Sequence, residues 1–203
     1  MTRVGSLAAL GIATILCSGV ASTAQDEIVA APSVKAGEYL EFKLRSGVRT
    51  RTEIVEILPD GTHAQSRDRF PGARFIRDGQ LTTIRIEGNF SGDASGMVGW
   101  ALLNFPLHVG KRYSFDVVAA GQIPLTIEMH VAAQEDVRID SGTLRALRLE
   151  SCWKDNRSGR RSCGLTYWYA PAAKGLVKRE SPRGFPAGLY ESDFEVVRVY
   201  VVE

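Results

Sequence analysis

Residues 144–170 read LRALRLESCWKDNRSGRRSCGLTYWYA. Leu147, Leu149 and Ser151 alternate with Arg148 and Glu150, the period of a strand with one polar face. Leu165 to Tyr169 is aromatic and β-prone. Between them lies Asp155-Asn156-Arg157-Ser158-Gly159-Arg160, a polar run of turn formers. A hairpin centred there sets Cys152 opposite Cys163, and cross-strand neighbours are near enough to form a disulfide. Closing a loop of this size stabilises by about 3 kcal/mol in the chain-entropy model. A catalytic dithiol would use C-x-x-C spacing, which is absent.

Alternation recurs on either side of this hairpin. Leu40, Phe42 and Leu44 share one strand face. Thr52 to Leu58 ends at Pro59-Asp60-Gly61, a turn in which Pro presets φ and Gly permits positive φ. Phe75-Ile76 leads to Asp78-Gly79, a hairpin signal, and Leu81 to Ile86 returns. Strands are expected at Tyr113 to Val118, Leu125 to Val131, Val137 to Ile139, Leu144 to Leu149, Leu176 to Arg179 and Phe194 to Val202. The best helical candidate, Met97 to Asn104, is short. The expectation is a mainly β, single antiparallel domain of about ten strands, built as a barrel, half-barrel or sandwich. Gly88 to Gly99 (GNFSGDASGMVG) reads as a long surface loop or as a flap over a cavity.

Residues 1–24 carry one charge, Arg3, an apolar run from Leu7 to Cys17, and then Ser22-Thr23-Ala24 in small-x-small order. That is the layout of a secretory signal peptide. The apolar core is too short to span a membrane, which takes about 20 residues. Thr14 and Leu16 ahead of Cys17 do not match a lipobox. Cleavage after Ala24 leaves 179 of 203 residues. Residues 25–36 read as an N-terminal arm and 37–203 as the β-rich domain. The expected location is periplasmic or secreted, where the two remaining cysteines would be oxidised. No later segment approaches transmembrane length. The charge of +2, from 25 basic and 23 acidic residues, argues against a dedicated nucleic-acid binder.

Phe105-Pro106-Leu107-His108-Val109-Gly110-Lys111 precedes a strand. Glu135-Asp136-Val137 follows, then Ser141-Gly142-Thr143-Leu144-Arg145-Ala146-Leu147-Arg148, then Tyr167-Trp168-Tyr169-Ala170-Pro171 ahead of Gly175-Leu176-Val177-Lys178. In that order these motifs, spanning roughly residues 105–202 (about half the chain), resemble bacterial TapB-like exported envelope proteins of unknown function. The resemblance implies an exported β-rich domain and brings no catalytic residues. The same motifs have a physical role as fold punctuation. Gly142 permits a turn, and Pro171 ends a strand because it cannot donate to a ladder.

Chemistry-bearing residues are few. His63, His108 and His130 have no close histidine partner, so no metal site is expected, and no cofactor is implied. His108 and His63 read as turn and loop residues. Glu128 and His130 lie two apart on a strand and share a face, either as a weak polar pair or as a solvated surface. No Gly-x-Ser-x-Gly elbow, P-loop or dinucleotide fingerprint occurs. Arg157, Arg160 and Arg161 crown the hairpin, and Lys154, Lys174, Lys178, Arg179 and Arg183 could extend a positive end. Such a cluster could meet anionic envelope material or simply guard an edge. Trp153, Tyr167, Trp168 and Tyr169 flank the hairpin, with one face core and the other free to line a groove. The leading reading is an exported, non-enzymatic β-domain binding an apolar or amphipathic ligand or an envelope partner (lipid, glycan or protein). Two alternatives stand: a hydrolase acting on envelope material, and a structural interaction domain.

Overall fold

A computed structural model describes residues 27–35, 38–44, 50–57, 62–66, 72–88, 98–119, 122–182 and 193–201. Their strands are β1 (Tyr39–Leu44), β2 (Thr50–Ile57), β3 (His63–Ser66), β4 (Arg74–Arg77), β5 (Thr83–Glu87), β6 (Arg112–Ala119), β7 (Ile123–Ile139), β8 (Gly142–Asp155), β9 (Arg161–Ala170), β10 (Gly175–Glu180) and β11 (Phe194–Tyr200). One 3-10 turn, Pro171–Ala173, links β9 to β10 through left-handed Lys174. The chain is mainly β and antiparallel, as its alternation predicts. The sheet order is β5-β4-β3-β2-β1-β11-β10-β9-β8-β7-β6. It consists of two meanders joined where the last strand pairs with the first, Leu40 opposite Val199.

The sheet is curled, and chain length shows why. β5 and β6 form opposite edges, and no β5–β6 pairing closes the ladder among the described residues. The connection between them is bonded to β5 at Gly99, whose N–H donates to Thr83 O, and to β7 at Gly110, whose N–H donates to Val131 O (2.8 Å each). Laid flat, β5 and β7 would be about 43 Å apart, at about 4.8 Å per strand spacing. The chain from Gly99 to Gly110 reaches at most about 40 Å. Phe105 makes the same point: its N–H donates to Gln80 Oε1 from the β4–β5 turn (2.9 Å), while its ring meets Tyr169 of β9 edge-on at 5.3 Å. The result is an open half-barrel crossed on its inner face by residues 100–109.

That inner face carries the larger core. Leu125, Ile127, Met129 and Val131 of β7, Leu147, Leu149 and Trp153 of β8, and Leu165, Tyr167 and Tyr169 of β9 are buried together under Leu103 and Leu107. Val29 seals the strap, exchanging both backbone hydrogen bonds with Leu107 (2.7 Å each). A register shift between Val131 and Ala133 then turns β7 over. Beyond it Val137 and Ile139 face the other way, joining Ala146, Trp168, Ala170, Val177 and Val196 in a second core. Residues 167–170 of β9 are consequently buried on both faces, which is why they lack polar alternation.

Several expectations change. The segments at Leu125 and Val137 are one strand, β7, interrupted only by its bulge. The described part of the helical candidate, residues 98–104, is turn and irregular chain that packs as the strap. His63 opens β3 rather than sitting in a loop, paired with Ile57 and Arg77. The Asp78-Gly79 turn forms, with Asp78 Oδ1 accepting the N–H groups of Gln80 and Thr82 (2.9 Å each). Its returning strand begins at Thr83 because Leu81 takes φ 61°. The leader 1–24, the Pro59-Asp60-Gly61 turn, most of the 88–99 loop and Arg183 lie outside the described residues.

Candidate ligand-binding face

The hairpin has the register its sequence predicts: Lys154 opposite Arg161, Trp153 opposite Ser162 and Cys152 opposite Cys163. Cys152 and Cys163 are joined, S–S 2.07 Å. Asp155 builds the tip. Its carboxylate accepts from the Ser158 hydroxyl (2.6 Å) and the Arg157 N–H (2.8 Å). Those bonds, the Ser158 hydroxyl first, hold its carboxyl below the usual range. A shift between Ser151 and Cys152 leaves Gly164 as the extra residue at φ 113°.

The basic residues do not form one cluster. Arg157 donates to Gln122 O (2.6 Å), which docks the tip on the β6–β7 turn. Arg161 pairs with Glu128 (2.5 Å). Arg160 is exposed at the tip. Lys174 pairs with buried Glu38 (2.6 Å). Lys178 bonds Glu180 (2.9 Å) and lies over Trp168, 4.8 Å from the ring centroid. Arg179 is on the inner side, opposite Tyr167.

Glu128 and His130 share the outer face but serve different partners. Glu128 holds Arg161, and His130 lies 4.0 Å from Glu150. Ser151, opposite Met129 on the neighbouring strand, points to the inner side and donates to Leu165 O (3.3 Å), and Ser114, opposite Glu128, is exposed. Nothing here assembles a nucleophile and base. His108 is half-buried in the strap, its Nδ1 2.9 Å from Val109 O. Among the described residues no group of three His, Cys, Asp or Glu side chains converges as a metal site.

The four aromatics divide between faces, and all are buried. Trp168 is on the outer face, its Nε1–H donating to Glu135 Oε1 (2.6 Å). Trp153, Tyr167 and Tyr169 are on the inner face. Burial raises the phenol pKa of both tyrosines; the nearby Arg179 charge partly opposes this at Tyr167. Two inner-face donors stand out. Trp153 Nε1 and Arg179 Nε are both sealed from solvent without an acceptor. Buried donors are nearly always paired, because an unpaired one costs about 1–3 kcal/mol. In Gly175-Leu176-Val177-Lys178-Arg179 this arginine reads as an edge cation beside Lys178, and nothing local marks it as buried.

The strap over this face is held by polar staples. Lys111 Nζ donates to Asn104 O, to Asn104 Oδ1 (2.9 Å) and to Pro106 O (2.8 Å). The Tyr113 hydroxyl donates to Leu102 O (2.5 Å), and burial raises its pKa. Among the described residues no helix is long and apolar enough to cross a membrane.

No protein-family model matches this sequence, and no curated protein matches it. Among solved structures, the chain is similar to the hypothetical lipoprotein YmcC from Escherichia coli. It is 11% identical, over 83% of this chain and 87% of that one, with a TM-score of 0.49. A candidate lipoprotein from Parabacteroides distasonis is 13% identical, covering 86% and 100%, with a TM-score of 0.41. A candidate exported protein with a YmcC-like fold from Bacteroides fragilis is 14% identical, covering 85% and 99%, with a TM-score of 0.40.

Proposed function

We propose that this chain is an exported, non-enzymatic β-domain that holds an apolar or amphipathic ligand against the inner face of β7–β10. The leader-like residues 1–24 and the Cys152–Cys163 disulfide support export to the periplasm or beyond. The TapB-like resemblance of residues 105–202 points the same way. The observation that carries the ligand reading is Trp153 Nε1, a buried donor with no acceptor in a largely apolar wall. A bound molecule with an acceptor would satisfy it, and the surrounding leucines and aromatics suit a lipid rather than a glycan. The hydrolase reading loses support because Glu128 and His130 are engaged by separate partners.

Native mass spectrometry of the protein purified from its own envelope fraction tests this. The expected result is a mature mass matching cleavage after Ala24, two hydrogens fewer than the dithiol, with a co-purifying amphiphile. A ligand-free mass that stays ligand-free after incubation with envelope lipid extract contradicts it.

A further inference from the structure

Arg179 should not be on the inner face. Leu176 is opposite Tyr169 and faces inward, so simple alternation would send Lys178 inward and Arg179 out. A register shift between Leu176 and Lys178 reverses this: Lys178 pairs with Trp168 and Arg179 with Tyr167. The chain therefore inserts an extra residue, and the result is an arginine buried to 3% exposure. Its guanidinium lies 5.8 Å from the Tyr167 ring centroid. Among the described residues it has no carboxylate partner and no hydrogen bond, and its Nε is sealed. A buried cation is normally paired, since desolvation is only offset by a counter-charge. The ring face is a weak substitute. Arg179 is the next-to-last residue of β10, opposite Tyr167 of β9 and Phe194 of β11.

We propose that Arg179, seated on the Tyr167 ring, is the anion-binding group of this face, and that the ligand is an amphiphile headed by a carboxylate or phosphate oxyanion. The planar guanidinium suits both heads through paired N–H donors. This rests on the reading of the inner face as a ligand surface.

Calorimetric titration of the purified chain with dodecanoate, dodecyl phosphate, dodecanol and inorganic phosphate, each below its micelle concentration, tests it. Wild type should bind the two acids about tenfold or more tighter than dodecanol. R179M should lose that margin and keep dodecanol binding. Ligand-free R179M should melt no lower than wild type, because it removes an unpaired buried charge and keeps the stem. R179K keeps charge but loses the fork, and should bind the acids more weakly than wild type. An acid preference surviving in R179M, or wild-type affinity in R179K, overturns the assignment. So does equal wild-type binding of dodecanol and dodecanoate, which leaves the ligand surface itself standing. Binding of no amphiphile overturns both readings. Inorganic phosphate binding as tightly as dodecyl phosphate, and lost in R179M, retains Arg179 as an anion site but overturns the amphiphile.

Discussion

Gly88 shows how strongly single positions constrain this chain. It adopts φ +98°, and a Cβ there would lie 2.0 Å from Gly72 O. Gly79, with open space around it, is a contrasting case. We expect G88A to lose at least about 2 kcal/mol, from strain and a backbone clash together. G79A should be neutral or slightly stabilising; urea denaturation of both reads the difference. In sequence the two glycines look alike, because what separates them is a neighbour sixteen residues away. The tyrosines are a second case. Burial raises the pKa of Tyr113, Tyr167 and Tyr169 above the ordinary value near 10. Above that value the unfolded chain releases these protons while the folded chain retains them. The folded state then binds more protons, so stability falls as pH rises beyond about 10. A melting series into the alkaline range checks the sign; a rising melting temperature there would contradict it. Arg179 was illegible for a different reason: its face depends on one inserted residue in β10, and composition does not reveal a bulge.

At the scale of elements, the 152–163 hairpin was the most legible part, since turn chemistry and alternation are local. Its disulfide closes a separation of 11 residues. Reduction, or the double change to serine, should cost about 3 kcal/mol, read as a lower melting temperature with the strand circular-dichroism signature retained. β3 was not legible, because His63-Ala64-Gln65-Ser66 has no apolar alternation and is a strand only through its neighbours. The strap was missed likewise: residues 100–109 are apolar without strand period, and their role as an inner covering depends on long-range curling. Truncating Leu149, fully buried beneath it, should cost about 2–5 kcal/mol in L149A. Y113F removes the bond to Leu102 O and should lose about 1 kcal/mol, with faster hydrogen exchange confined to the strap amides.

Over the whole molecule, mainly β, antiparallel architecture followed from turn-punctuated alternation, but the curling of the sheet did not. It is set by the pairing of Leu40 with Val199 and by a connection too short for a flat sheet. Curling creates an inside, and an inside makes the unpaired donors of Trp153 and Arg179 meaningful, because a flat sheet would leave them to water. The candidate aromatics, and the division of Tyr167 and Tyr169 from Trp168 between two faces, were legible in the alternation, whereas the burial of both faces was not. The proposed ligand lies against the inner face of β7–β10. The most direct measurement is the indole N–H resonance of Trp153, assigned with W153F in nitrogen-15 correlation spectra, followed while envelope lipid extract is added. The ligand reading predicts that this resonance moves downfield as its hydrogen gains an acceptor, together with backbone amides of β8 and β9. A Trp153 resonance that stays in place at saturating lipid, with the protein folded, would contradict it.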